Sequence, residues 1–385
     1  MRSRGRTAVS GLSLTLALFA SSAMATEMVP KPPQVAAKAH ILVDADSGQV
    51  LSEQNADTAL EPASLTKIMT VYAVAAGLQQ NDIHLADEVV VSEEAWKATG
   101  SRTFVEVAKP VKVQDLLLGV IVQSGNDASI ALAEHLSGSE DVFAELMNLY
   151  AARLGLKGSH FMNSSGLPHP DHYMTARDAA TVTVALIRDF PEIYKSFSIK
   201  EYTYNGIPQH NRNRLLWLDP AIDGVKTGHT QDAGYCLVAS THRKGMRLIS
   251  VILGAQSESG RTQQSQSLLN YGFRFYETRR LFSALQPVAK ARVWKGENPE
   301  VALGLERDLF VTIPRRQTEA LKASVDLPQR ITAPLNKGEH KGMLKVALGE
   351  SVLLNRPLIA LQAVAEGGII QRLTDELKLL LKQVN

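Results

Sequence analysis

Apolar positions alternate with polar ones in some stretches of the chain and recur at helical spacing in others, and the two patterns are segregated. Residues 39–43 and 50–52 are short strand-like runs on either side of the turn Asp46-Ser47-Gly48 and read as a hairpin. Segments 113–122, 127–136, 142–154 and 176–187 carry apolar residues at helical spacing. Strand patterns return at 200–204, 224–227, 235–240 and 247–253, and 263–275 reads as a helix. Strands at both ends with helices between them predict an α+β domain, in which an antiparallel sheet is packed against an inserted helical cluster. Beyond about residue 284 the texture changes to short runs at 289–294, 308–313, 321–325 and 342–347, separated by proline and glycine turns. That spacing predicts a small all-β sandwich, and it holds no cluster of catalytic residue types.

The chain closes after Gly367-Gly368 with an amphipathic segment. On a helical wheel Ile369, Ile370, Leu373, Leu377, Leu380, Leu381 and Val384 share one face, with Arg372, Asp375, Glu376, Lys378 and Lys382 elsewhere. Those charges exclude an ordinary spanning helix. A helix lying in a membrane surface fits the pattern, with modest affinity for anionic lipid because aromatics are lacking and the basic excess is slight. Docking of the tail against its own domain is the alternative.

One segment breaks the amphipathic rule. Residues 63–77 are apolar on nearly every face, the pattern of a helix buried inside a domain, and Lys67 is their only charge. A buried ammonium is costly unless paired or neutralised. Ser64 lies three residues earlier, on the same helical face, within reach of a hydrogen bond. Serine is a poor nucleophile unless a neighbouring base takes its proton, and an amine depressed by burial and nearby cations can do so. Lys226 is a candidate second cation. The competing reading is a serine that caps the helix, with Lys67 snorkelling to solvent. Two further signals follow in order, Ser124-Gly125-Asn126 and Lys226-Thr227-Gly228.

The first residues change the compartment rather than the fold. Arg2, Arg4 and Arg6, a short apolar stretch and Ala23-Met24-Ala25 predict a secretory signal peptide over residues 1–25, cleaved after Ala25, with an uncleaved anchor as the alternative. Without it, basic and acidic residues number 38 and 39, against 41 and 39 in the whole chain. A near-neutral chain gives no support to nucleic-acid binding. Cys236 is the only cysteine, so no internal disulfide is available, and its apolar neighbours predict a buried structural position.

Together, Glu61-Pro62-Ala63-Ser64-Leu65-Thr66-Lys67-Ile68-Met69-Thr70, Gln123-Ser124-Gly125-Asn126-Asp127-Ala128, Asn211-Arg212-Asn213 and Asp223-Gly224-Val225-Lys226-Thr227-Gly228-His229-Thr230 resemble the low-molecular-mass penicillin-binding proteins that are D-alanyl-D-alanine carboxypeptidases. The resemblance implies the penicillin-recognising serine-enzyme fold. It divides the chain into a catalytic domain at 26–283, a β-rich domain at 284–366 and an amphipathic anchor at 367–385, held at the periplasmic face of the inner membrane after secretion. It also implies removal of the terminal D-alanine from peptidoglycan stem pentapeptides through an acyl-enzyme on Ser64, and acylation by β-lactams. Lys67 would be the base, and Ser124 would pass a proton to the departing amine. Asn126, Lys226, Thr227 and Arg261 would hold substrate, Gly228 would leave it room, and Ser64 and His229 would supply backbone N–H groups to the oxyanion. Asp178 would brace a loop below the site or simply be a first-turn helix acid.

Two other activities stay open at this point, a murein DD-endopeptidase and a penicillin-binding scaffold without catalysis. The Glu-x-x-Leu-Asn context by which a class A β-lactamase activates its deacylating water is missing, which favours a peptidase. No metal or other cofactor is expected, because the ten histidines show no ligand spacing such as His-Glu-x-x-His. The oligomeric state is not readable.

Overall fold

The structure, a computed structural model, describes residues 29–384. The expected signal peptide lies outside the described residues. From Pro32 onward the chain forms one compact unit.

Its first layer is a five-stranded antiparallel sheet. The predicted hairpin supplies β1 (Ala39–Asp44) and β2 (Val50–Gln54). A helical cluster follows, with α1 (Lys67–Gln80), α2 (Asn126–Ser137), α3 (Glu140–Leu154) and α4 (Ala176–Asp189). The sheet is completed by β3 (Ile222–Thr230), β4 (Gly234–Arg243) and β5 (Met246–Ala255), and α5 (Glu258–Phe275) packs back on β4 and β5. The strand order is β2-β1-β5-β4-β3, so the first and last strands of the sheet in sequence pair in its middle and β3 forms one edge.

The absence of a polar face on α1 has a direct structural cause. It contacts α2, α3 and α4 as well as β3, and every residue from Lys67 to Gly77 is buried. A helix surrounded by other elements has no use for a solvent-facing stripe. The other helices show ordinary start signals: Ser139 and Thr175 cap α3 and α4 by accepting the backbone N–H of Val142 and Asp178.

The second module holds β6 (Tyr276–Phe282), β7 (Pro287–Trp294), β8 (Glu300–Gly304), β9 (Leu309–Pro314), β10 (Leu321–Asp326), β11 (Ile331–Thr332), β12 (His340–Leu348) and β13 (Ser351–Ala360). A six-stranded sheet in the order β10-β12-β13-β8-β7-β11 and the β6-β9 ribbon share a core that includes Val293, Val301, Leu303, Val311, Leu344, Val346 and Leu358. Ladder pairing begins at Tyr276 opposite Pro314, ahead of the stretch where the sequence texture changes. The β6-β9 ribbon touches the first module: the Thr278 hydroxyl on β6 donates to Asp44 Oδ2 at 2.6 Å, and Thr312 Oγ1 on β9 lies 2.6 Å from Ser47 Oγ.

The tail forms α6 (Ile369–Val384). Its polar side meets the β module, where Asp375 is buried and accepts the Lys295 backbone N–H at 2.7 Å, and Glu376 pairs with Lys295 Nζ. Its apolar side faces outward, with Ile370 83% and Leu377 62% exposed. Among the described residues no helix is long and apolar enough to cross a membrane.

Candidate active site

Ser64 lies in a short 3₁₀ turn (Ala63–Thr66) that runs directly into α1. Its hydroxyl does not cap the helix; it lies 3.1 Å from Lys67 Nζ. Lys67 does not snorkel, because it is fully buried. Its other two partners decide what it can do. Asn126 Oδ1 accepts from Nζ at 2.6 Å and the Ser165 carbonyl accepts at 2.5 Å. A neutral amine has two N–H groups and one lone pair, and two acceptors that cannot donate claim both N–H groups. The lone pair is left for the Ser64 O–H, the arrangement a general base requires.

Electrostatics favour the neutral form. Burial lowers the Lys67 amine to about 7, with Arg212 adding to the shift and Glu140 and Asp127 opposing it. Asn126 is oriented by its own amide, whose Nδ2 donates to the Thr99 carbonyl at 2.6 Å, which leaves Oδ1 for the lysine. The loop that carries Thr99 is held in turn by Asp127. That buried carboxylate accepts backbone N–H groups from Thr103, Phe104 and Val105 at 2.8, 2.8 and 3.2 Å.

Ser124 sits at φ 67°, a left-handed conformation uncommon for a residue with a side chain. Strain of this kind persists where surrounding structure over-determines it. Here it accompanies a hydroxyl that accepts from Lys226 Nζ at 2.8 Å, so Ser124 is tied to the strand lysine rather than to Lys67. Burial drives the Lys226 amine well below its usual range, and the charges of Lys67, Arg212 and Arg261 push the same way.

Lys226, Thr227 and Gly228 lie on β3, the sheet edge where an extended peptide can add. Gly228 is needed by the protein's own packing: a Cβ there would lie 2.9 Å from the Pro62 carbonyl and 3.2 Å from Ser64 N. The space beside Gly228 is taken by the Pro62–Ser64 turn. Arg261 is buried, donates to the Gly228 carbonyl at 3.1 Å and to the Cys236 carbonyl at 3.4 Å, and is not a solvated helix-start residue. His229 is exposed and lies tilted against Tyr235, with ring centroids 4.2 Å apart and an interplanar angle of 35°. Cys236 is buried, and its thiol is pushed up to about 11 by burial, an inert structural position.

These groups line one open cleft of about 1270 Å³. It gathers Ser64, Ser124, Asn126, Thr227, Gly228, His229 and Arg261, while Lys67 and Lys226 lie just beneath its surface. Sequence reasoning missed its apolar lining, which includes Leu167, Trp217 and Leu218. It also missed the turn at 163–167, where Asn163 Oδ1 accepts the N–H groups of Ser165, Gly166 and Leu167 at 3.2, 2.7 and 3.2 Å. Asn-Ser-Ser-Gly is a loop-forming run, which was the available signal. Asp178 both stands in the first turn of α4 and accepts from Gly158 N–H and the Ser159 hydroxyl, each at 2.8 Å, bracing the approach to that turn.

The sequence matches the family model described as D-alanyl-D-alanine carboxypeptidase over residues 26–257. The chain belongs to that family. Residues 276–366 match the C-terminal domain of penicillin-binding protein 5. D-alanyl-D-alanine carboxypeptidase DacC of Escherichia coli K12 is 47% identical over 372 residues, covering 94% of this chain and 93% of the relative. The crystal structure of penicillin binding protein 5 from Haemophilus influenzae superposes with a TM-score of 0.84 at 42% identity, covering 88% of this chain and 100% of that one. Penicillin-binding protein D2 of Listeria monocytogenes in its ampicillin-bound form gives a TM-score of 0.58 at 29% identity, over 63% of this chain and 100% of that one. The activity of the family is that of a serine-type D-alanyl-D-alanine carboxypeptidase, a hydrolase, and the cleft described above holds the Ser64–Lys67 pair.

Proposed function

We propose that the enzyme cleaves the terminal D-alanine from peptidoglycan stem pentapeptides in two steps, with Ser64 as nucleophile and Lys67 as base. The observation that carries this reading is the Lys67 hydrogen-bond set, which leaves the amine lone pair only the Ser64 hydroxyl to meet. Substrate lies along the β3 edge with its carboxylate toward Thr227, Lys226 and Arg261. That carboxylate raises the Lys226 amine back toward its charged form, because an opposite charge favours the ion. Ser64 Oγ attacks the carbonyl between the two D-alanines as its proton moves to Lys67, and the oxyanion meets the backbone N–H groups of Ser64 and His229. The C–N bond breaks as the departing amine takes a proton through Ser124 from the lysines behind it. Water then hydrolyses the ester and frees Ser64.

β-Lactams enter the same cleft because they present an amide carbonyl and a carboxylate in similar relation; the ampicillin-bound relative supports this. A soluble acyl-D-alanyl-D-alanine peptide tests the reading, with free D-alanine measured in solution and the penicillin adduct mapped by mass spectrometry. An adduct on the peptide containing Ser64, together with D-alanine release, is expected. Release only from cross-linked dimers would replace carboxypeptidase by endopeptidase.

The reading extends to location. Secretion followed by peripheral attachment to the periplasmic face of the inner membrane is supported by the basic-apolar-small start of the chain and by six exposed apolar residues on α6, Ile369, Ile370, Leu373, Leu377, Leu380 and Leu381. Deleting residues 367–385 is expected to move the protein from the membrane pellet to the supernatant while D-alanine release from soluble peptide is unchanged. A truncated protein that still sediments with membranes would remove that role from the tail.

A further inference from the structure

The catalytic lysine is oriented by a main-chain carbonyl, and the device that fixes this carbonyl lies on a different helix. Ser165 accepts one Lys67 N–H. The residue before it, Ser164, is gripped from two sides. Its backbone N–H and its hydroxyl both donate to Glu140 Oε1, at 2.8 and 2.5 Å, and its carbonyl accepts from the Thr70 hydroxyl at 2.6 Å. Thr70 lies one turn beyond Lys67 on α1, and Glu140 opens α3 immediately after its Ser139 cap. The far side of the turn is blocked as well: a Cβ on Gly166 would lie 1.9 Å from the Ala63 carbonyl, so the loop sits hard against the nucleophile turn.

Glu140 makes no ion pair among the described residues, and both of its hydrogen bonds go to Ser164. A half-buried carboxylate without a cation at contact distance keeps its field for more distant charges. One beneficiary is Lys67, on which Glu140 is the foremost counter-charge, ahead of Asp127.

We infer that Glu140 is a positioning residue for the catalytic base: through Ser164 it fixes the carbonyl that aims Lys67 at Ser64, and its charge sets how readily that amine takes a proton. The inference rests on the reading of Lys67 as the base. The groups facing Lys67 are Asp127 from α2, Glu140 from α3, Arg212 from the segment before β3, Lys226 from β3 itself and the neutral His172 beside Thr66. Asp127 and Glu140 are the acids in that set, so losing one removes a large part of the opposition to desolvation. The amine then gives up its proton at lower pH.

The rate of acylation by benzylpenicillin, followed against pH, tests this in Glu140→Gln, Glu140→Ala and Lys67→Ala. Glutamine keeps an oxygen that accepts from the Ser164 N–H but carries no charge. Its plateau rate is expected within about threefold of the parent because the hydrogen bond survives. Its acidic limb is expected to move down by about half a pH unit or more. Alanine loses both contributions, and its plateau is expected to fall about tenfold through misaimed geometry. An acidic limb that does not move in Glu140→Gln, while Lys67→Ala abolishes acylation, overturns the inference and leaves the base in place. Normal acylation by Lys67→Ala overturns the base reading instead. A Glu140→Ala protein that melts earlier but acylates at the parental plateau rate reduces Glu140 to a structural brace and also overturns the inference.

Discussion

Replacing Ser64 with alanine is expected to abolish release of D-alanine from a soluble acyl-D-alanyl-D-alanine peptide, a fall of at least about 10⁴-fold, and to abolish covalent labelling by penicillin. The size follows from what the cleft offers as a substitute. Ser124 is the other hydroxyl beside a lysine, but it is held by Lys226 and stands at the C-terminal end of a helical segment rather than in the turn packed under Gly228. Without Ser64 only water remains, and no group is arranged to deliver it to an intact amide. The fold should hardly notice. Ser64 is partly exposed, its hydroxyl caps no helix, and Lys67 keeps Asn126 and the Ser165 carbonyl as partners. A stability change within about 1 kcal/mol is expected by urea unfolding, which separates lost chemistry from lost structure. Parental release by a well-folded Ser64→Ala protein would place the nucleophile elsewhere.

The parts of this site that were legible in the sequence are those in which side-chain identity carries the chemistry. A lysine in an otherwise apolar stretch asks for a reason, and a serine three residues earlier supplies one. A strand-edge Lys-Thr-Gly asks the same of its glycine, although the packing gives a different reason from the one expected: the Pro62–Ser64 turn occupies the space. What stayed hidden works through groups every residue possesses. Ser165 and Thr99 contribute main-chain carbonyls, and no residue type announces a carbonyl. Glu140 looks like an ordinary first-turn acid, and only the fold brings Ser164 to it across 24 positions.

The same distinction holds for the fold. Periodicity was enough to place the hairpin, the helical cluster and the sheet, because each buries one face and the spacing of apolar residues records it. It was weaker at the join between modules. Strand β6 is half-exposed along most of its length and mixes Glu277, Arg279 and Arg280 with Tyr276 and Phe282, so its pairing with β9 is set by tertiary contacts rather than by alternation. The tail shows a third case. Its amphipathic pattern was plain, but not which side would touch the protein. The polar side docks because the buried Asp375 accepts the Lys295 backbone N–H, and the apolar stripe is left facing outward.

Lys67→Ala is expected to slow acylation by benzylpenicillin by about 10³-fold at pH 8 and to remove the acidic limb of the pH profile. The parental limb is expected to report this amine. Below about 7 it holds its proton, all three N–H groups of the ammonium are donors, and no lone pair faces Ser64. As pH rises through about 7 the proton leaves, the two N–H groups stay with Asn126 and Ser165, and acylation accelerates toward a plateau. His172 does not supply this limb, because burial lowers it to about 4 and it is neutral throughout the range. Lys67→Arg is expected to be no better than alanine, since a guanidinium stays charged and cannot accept the proton. Rapid-quench measurement of adduct formation between pH 5 and 9 reads both variants. If Lys67→Ala keeps a limb near 7, another group titrates there and the base must be sought among the partners of Ser124, with Lys226 the first to replace.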